Sequence, residues 1–151
     1  MALLLATAIA FVPASASADG HIEGAIKARK ASMQLRGFEL GKLVAMAKGK
    51  VEYDAKSAST AANNLKVMSQ VNAMAMWPQG SDNVAMGDAT RALPNIWTEF
   101  PKVSEAGKAY GMALDNLTQM VGKDLASLRA GLGEVGKTCS GCHTSFRAEK
   151  K

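Results

Sequence analysis

The chain has 151 residues, a formal net charge of +5 at pH 7, 48% hydrophobic residues and only two cysteines. This length fits one domain with a modest core. Because the basic residues are spread along the chain without a basic run and aromatic residues are few, nucleic acid is excluded as an expected partner. Two cysteines three positions apart also exclude a scaffold braced by disulfides.

The N-terminus is typical of a secretory signal peptide. Residues 2–12 form an apolar run, and residues 16–18 (ASA) have the small-x-small pattern of a signal peptidase site, although no basic residue precedes the run. The run is too short to cross a bilayer, which takes about 20 residues. We therefore expect residues 1–18 to be removed after Ala18, residues 19–151 to form the mature domain, and no membrane anchor.

The rest of the chain is predicted to be all-helical, because Ala, Leu, Met and Lys dominate and strand-like alternation is absent. A first helix is expected from about His21 to Lys48, and a second from the N-cap Asp54 to about Met76. The inward stripe of the first helix comprises Ile22, Ile26, Arg29, Met33, Leu40 and Val44. That of the second comprises Ala58, Ala61, Leu65, Met68 and Val71 or Asn72.

One long connection, residues 77–101, holds three of the four prolines, and a connection of that length usually has a role or partial order. The third helix follows Pro101 and is broken by Gly122, and the fourth starts near Asp124. The inner face of the third comprises Val103, Ala106, Tyr110, Ala113, Leu117 and Met120. Four helices with two short connections predict an antiparallel up-down-up-down four-helix bundle whose seam can hold a cofactor.

The fourth helix contains CSGCHTSF at residues 139–146, a motif open to a redox dithiol, a zinc site or haem attachment. Steps of three and four place both cysteines on the inward stripe with Leu125, Leu128, Leu132, Val135 and Phe146. A redox dithiol needs an accessible, low-pKa sulfur, usually at a helix N-terminus, whereas this pair lies at a helix C-terminus. A closed zinc site needs a fourth ligand, and the only other histidine is His21.

Haem c fits the motif best, because it needs two thiols for thioethers and an adjacent imidazole for the iron. We therefore expect one covalent haem c in the bundle core, attached at Cys139 and Cys142 with His143 on the iron. The helix also contains Gly131, Gly133, Gly136 and Gly141, each of which costs about 0.5–1 kcal/mol relative to alanine. We interpret them as making room for the macrocycle; a shorter helix that starts after Gly133 is the alternative.

Three motifs of the chain are shared with a known family: GEVGKTCSGCHTSFR near the C-terminus, LPNIW at 93–97 and ARKASM at 28–33. Through them the chain resembles class II cytochromes c, the cytochrome c′ family. The resemblance covers nearly all of the mature chain. It implies a periplasmic bundle with thioethers at Cys139 and Cys142, His143 as proximal ligand and Arg147 beside the haem. It also implies that Arg29 lies near a haem propionate, a role that suits arginine at a partly buried carboxylate.

Two branches of this family differ on the distal side of the iron. In the gas-binding branch a non-ligating residue of the first helix screens a five-coordinate iron, whereas in the low-spin branch a first-helix methionine binds the iron. Met33 occupies the matching position, so the resemblance implies the low-spin branch; height along the bundle alone leaves Met68, Met74 and Met112 open. We therefore expect an electron carrier, not an enzyme, with His143 and Met33 as axial ligands. The alternative is a five-coordinate protein that binds NO or CO.

The expected partners are periplasmic redox proteins that donate and accept electrons through small, transient contacts. Three lysines near the haem end are either part of such a contact or a solvated face: Lys27, Lys30 and Lys137. The resemblance also suggests a homodimer through the first two helices, which alanine-rich faces alone do not establish.

Overall fold

The structure is a computed structural model that describes residues 15–150. Its helices are α1 (Ser15–Ala47), α2 (Ala55–Ser69), α3 (Asn83–Met86), α4 (Asn95–Thr98), α5 (Phe100–Met120) and α6 (Leu125–Phe146). Most of the predicted signal peptide lies outside the described residues, and α1 begins before the expected start at His21. Within the described part of the chain, no helix has the length and apolar character needed to cross a membrane.

The four long helices, α1, α2, α5 and α6, form the antiparallel up-down-up-down bundle that the sequence predicts. Hydrogen bonds between helices show the alternating directions. Arg36 in the second half of α1 donates to the Met68 carbonyl near the end of α2, over 2.8 Å. Arg129 near the start of α6 donates to the Ala47 carbonyl at the end of α1, also over 2.8 Å. The C-terminal end of α6 therefore lies toward the N-terminal half of α1.

The fourth long helix, α6, follows its prediction closely. The carboxylate of its N-cap Asp124 accepts a hydrogen bond from the Ser127 backbone N–H over 2.7 Å. The helix continues without a break to Phe146, so the alternative that starts after Gly133 is wrong. All seven predicted inward positions are buried or half-buried: Leu125, Leu128, Leu132, Val135, Cys139, Cys142 and Phe146.

The predictions for α1 and α2 need correction. The second helix ends at Ser69 rather than Met76, because Asn72 Oδ1 accepts from the Met74 N–H over 3.1 Å in a local turn. Residues 74–76 then form a separate 3₁₀ turn. In α1 the inward stripe drifts toward its C-terminal end, where Leu43 and Met46 are buried and Val44 is only half-buried.

The long connection between α2 and α5 is ordered and packs on the bundle end that contains the C-terminus of α6. It includes the single-turn helices α3 and α4. Leu93 N–H donates to the Phe146 carbonyl over 3.1 Å, and Ala148 N–H donates to the Arg91 carbonyl over 2.8 Å. This pairing fixes the connection beside the last turn of α6.

Candidate functional site

Both cysteines lie half-buried on the inward side of α6, and they are not joined in a disulfide. Cys139 packs against the main core of the bundle. Cys142 packs against a second cluster, formed by Ala92, Ile96 and Phe146. Burial raises the pKa of each thiol above its ordinary value. Because a raised pKa disfavours the thiolate, these surroundings do not suit a redox dithiol.

His143 follows Cys142 and is half-buried. Burial lowers its pKa, and the positive charges of Arg147 and Arg91 lower it further. The neutral imidazole that results is the form that binds a metal. No cluster of three or more His, Cys, Asp or Glu side chains within residues 15–150 is arranged to hold a metal ion, so a closed zinc site lacks ligands.

Open space lies next to the motif. A cleft of about 390 Å³ lies between α6 and the α4–α5 segment, and Gly141 and Cys142 line it together with Asn95 and Ala106. The Asn95 Oδ1 atom is buried without a hydrogen-bond partner. Of Cys139, Cys142 and His143, only Cys142 lines this cleft, so the fit of a covalently attached planar group rests on two thiols on one helix face and the adjacent neutral imidazole.

The glycines of α6 divide into two groups. A Cβ on Gly131 would lie 2.9 Å from Leu117 Cδ1 and 3.2 Å from Met120 Sδ, so this glycine is explained by the close approach of α5. A Cβ on Gly133, Gly136 or Gly141 would meet nothing within 4 Å. The interpretation of all four glycines as room for a macrocycle is therefore wrong for Gly131.

Arg29 of α1 is buried, with only 5% of its surface exposed. Its guanidinium donates to Ser81 Oγ over 2.6 Å, to Thr90 Oγ1 over 2.8 Å and to the Ser81 carbonyl. It also lies 4.5 Å from the ring centroid of Trp77. Burial lowers its pKa, and the Asp82 carboxylate partly offsets this effect. Arg29 thus joins α1 to the connection near the cysteine motif.

Two tryptophans that the sequence analysis did not single out belong to this region. The Trp77 and Trp97 rings are 6.3 Å apart between centroids, and Trp97 Nε1 donates to the Trp77 carbonyl over 3.1 Å. Both pack on the cluster that contacts Cys142. The signal was available in part, since Trp97 ends the LPNIW motif on which the family resemblance rests.

Met33 and Arg36 lie three residues apart on α1. The Met33 side chain is 47% exposed. Arg36 is half-buried and donates to Ser32 Oγ over 2.8 Å, while its Nε atom is buried without a partner. Arg36 was not among the predicted site residues, although it follows Arg29 by seven residues and so continues the same stripe.

The remaining charged candidates lie at the surface. Arg147 is exposed and follows α6, and its N–H donates to the His143 carbonyl over 3.2 Å. Lys27, Lys30 and Lys137 are also exposed. Lys27 approaches Glu23 at 3.8 Å, and Lys30 Nζ lies 3.5 Å from the Ala89 carbonyl. Such exposed contacts contribute little to stability.

A family model described as cytochrome c′ matches residues 24–147. The chain belongs to the cytochrome c′ family. One relative is cytochrome c-554 of Cereibacter sphaeroides, which is 35% identical over 97% of this chain and 95% of its own length. Another is cytochrome c′ of Halomonas halodenitrificans, which is 35% identical over 84% of this chain and 98% of its own length. As in the cytochrome c′ family generally, the chain has one covalently bound haem c.

Solved cytochromes c′ share the fold. One from Rhodobacter sphaeroides is 31% identical, with a TM-score of 0.83 over 85% of this chain and 98% of that chain. Another, from Alcaligenes xylosoxidans, is a ferrous variant with bound NO; it is 28% identical, with a TM-score of 0.73 over 85% and 97%. The four-helix cytochrome c′ bundle is therefore the fold of this chain.

The comparisons overturn the prediction of the low-spin branch. The family model and relatives from three species bear the name cytochrome c′, the five-coordinate type, so the six-coordinate electron carrier with Met33 on the iron is wrong. The alternative, a five-coordinate protein that binds NO or CO, fits better. The physical reason for the error is that methionine packs as readily as it ligates, so its presence at position 33 does not decide the coordination.

Proposed function

We propose that this chain is a periplasmic cytochrome c′ that binds NO or CO at a five-coordinate ferrous haem iron, and that it is not an enzyme. Membership of the cytochrome c′ family is the observation on which the proposal depends. The relative from Alcaligenes xylosoxidans with bound NO supports the choice of ligand. An iron with one open axial position binds a diatomic gas directly, and the pocket then controls access to it.

The chain's own residues have distinct roles in this proposal. Cys139 and Cys142 form the thioethers, because their thiols lie on the inward face of α6. His143 binds the iron on the proximal side, since its surroundings favour the neutral imidazole. Arg147 follows this helix and adds positive charge beside His143. Met33 of α1 covers the distal side without binding the iron.

Arg29 has two roles in the proposal. It fixes the connection to α1 through Ser81 and Thr90. Its charge is also proposed to attract a haem propionate, since Arg29 forms no ion pair within residues 15–150 and Asp82 is the one charged group that acts on its pKa.

The setting of the protein is part of the same proposal. Removal of residues 1–18 after Ala18 would place the mature domain in the periplasm. There a redox protein would return the iron to the ferrous state through a small contact near Lys27, Lys30 and Lys137. A homodimer through the first two long helices is also proposed; one solved cytochrome c′ with this fold shows ligand-controlled dimer dissociation.

The test is spectroscopic. The purified holoprotein should keep its red colour in acid acetone, and its mass should exceed that of the polypeptide by one haem. The ferric form should give a high-spin EPR signal without a near-infrared sulfur-to-iron band, and the ferrous form should bind CO and NO. A low-spin ferric spectrum with that band, and no CO binding, would contradict the proposal.

A further inference from the structure

Arg36 lies where the four long helices meet. It projects from α1 and donates to the Met68 carbonyl of α2 over 2.8 Å. Tyr110 of α5 and Cys139 of α6 are also near. Burial raises the pKa of both groups, and the positive charge of Arg36 acts to lower both; a side-chain hydrogen bond with Arg36 also lowers the pKa of Tyr110. One cation therefore faces the other three helices at the height of the first cysteine.

The guanidinium is incompletely partnered. Its two terminal nitrogens bond to Ser32 Oγ and to the Met68 carbonyl, but the Nε atom is buried with no acceptor. None of the ion pairs formed within residues 15–150 includes Arg36. A buried N–H donor without an acceptor costs free energy, although the Arg36 side chain as a whole is only half-buried. The Nε–H group can therefore donate to an acceptor that is not part of the polypeptide.

Arg36 follows Met33 by one turn of α1. Residues three apart on a helix lie on the same face, so Arg36 and Met33 are neighbours on α1. The proposed function assigns Met33 to the distal side of the iron. A group that binds the iron beside Met33 is therefore in the direction of Arg36, while Cys139 is on the facing helix.

We propose that Arg36 is a distal ligand-contacting residue whose Nε–H donates a hydrogen bond to a diatomic gas on the ferrous iron. This inference rests on the proposed function. A hydrogen bond from a charged donor stabilises the electron density that a bound NO or CO draws from ferrous iron. The positive charge also favours the ferrous state over the ferric state, because ferric haem has one more positive charge.

A purely structural role for Arg36 leads to different results. In that case the side chain only ties α1 to α2 through the Met68 carbonyl. Its removal would then lower stability and leave the ligand kinetics and the reduction potential unchanged. The experiment must therefore measure properties of the haem iron, namely its ligand kinetics and its reduction potential.

The experiment compares Arg36→Met with Arg129→Met in the haem-loaded protein. Both substitutions remove one positive charge and one hydrogen bond to the end of a neighbouring helix, but Arg129 lies at the opposite end of the bundle. Arg36→Met should speed CO and NO dissociation roughly tenfold or more, the size expected for a charge-assisted hydrogen bond. It should also raise the C–O stretching frequency and lower the midpoint potential, whereas Arg129→Met should change none of these.

Equal behaviour of the two variants would overturn the inference. Should Arg36→Met fail to fold, Arg36→Gln removes the charge while its amide can still donate to the Met68 carbonyl, and the same comparison then decides. Failure of the proposed function is distinguishable, because the wild type itself would then be low-spin and would not bind CO. A low-spin wild type that binds no CO would reject the contact between Arg36 and a gas ligand. The midpoint potentials of the wild type and Arg36→Met would still show whether the Arg36 charge acts on the iron.

Discussion

Arg29 Nη1 lies 2.6 Å from Ser81 Oγ, and this hydrogen bond fastens α1 to the connection between α2 and α5. The same guanidinium binds Thr90 and covers the Trp77 ring. The connection also packs beside the cysteine motif through the apolar cluster of Ala92, Ile96 and Phe146, so its position depends on apolar and polar contacts together. One arginine of α1 thereby organises much of the segment that covers the end of the bundle.

Arg29→Met should lower the free energy of unfolding by about 3 kcal/mol. The reason is that the substitution leaves the buried Ser81 and Thr90 oxygens without their charged donor. Urea unfolding of the haem-loaded protein measures the effect. Lys30→Met is the matched control, because Lys30 is the exposed neighbour and should change stability by less than about 0.5 kcal/mol. Equal losses in the two variants would show that the network is not stabilising.

Gly131→Ala should destabilise the protein by about 1–3 kcal/mol, because the new methyl group would lie 2.9 Å from Leu117 Cδ1. Gly133→Ala is the control in the same helix. It meets no atom within 4 Å, so the better helix propensity of alanine should stabilise the protein by about 0.5–1 kcal/mol. Thermal unfolding of both variants should give shifts of opposite sign. A gain in stability for both would contradict the close α5–α6 contact.

The inward face of α6 could be predicted because its apolar residues follow strict steps of three and four, and the N-cap Asp124 marks its start. The end of α2 could not be predicted from the sequence. Residues 70–73 lack a glycine or proline, and the turn depends on a hydrogen bond from the Met74 N–H to the Asn72 side chain. The role of Gly131 was also hidden, since it depends on how closely α5 approaches.

The site was predictable only where covalent chemistry dictates a local motif. The CxxCH spacing favoured haem c, whereas the contacts of Arg29 with Ser81 and Thr90 join parts of the chain that are distant in sequence. Met33 illustrates a different limit. One methionine at the distal position fits a ligand and a packing residue equally well, so the comparisons with relatives were needed to decide the branch.

The N-cap Asp124 predicts a dependence of stability on pH. Hydrogen bonds from the backbone and side chain of Ser127 lower the pKa of this carboxyl below its ordinary value of 3.8. A lowered folded-state pKa means that the carboxylate stabilises the protein above about pH 3.8 and loses this contribution as the pH falls through the folded value. Asp124→Ala should therefore have a lower free energy of unfolding than the wild type at pH 7. The difference between the two proteins should become smaller in acid. Urea unfolding at pH 7 and below pH 3.8 measures it.

If the two proteins differed equally in their free energy of unfolding at both pH values, the stabilisation could not come from the ionised Asp124 carboxylate. Asp115→Ala is a useful comparison, because Asp115 pairs with Lys66 at 2.8 Å on an exposed face of the bundle. An exposed ion pair contributes little. Its loss should therefore have only a small effect at pH 7.

Met33→Ala tests the distal position itself. If Met33 screens a five-coordinate iron, the ferric spectrum should stay high-spin, and CO should bind to the ferrous variant about tenfold faster, which corresponds to about 1.4 kcal/mol of the barrier. Stability should change by only about 1 kcal/mol, because the side chain is 47% exposed. Met112→Ala on α5, at 63% exposure, is the control and should leave CO binding unchanged. A change from a low-spin to a high-spin ferric spectrum in Met33→Ala would instead identify Met33 as an iron ligand.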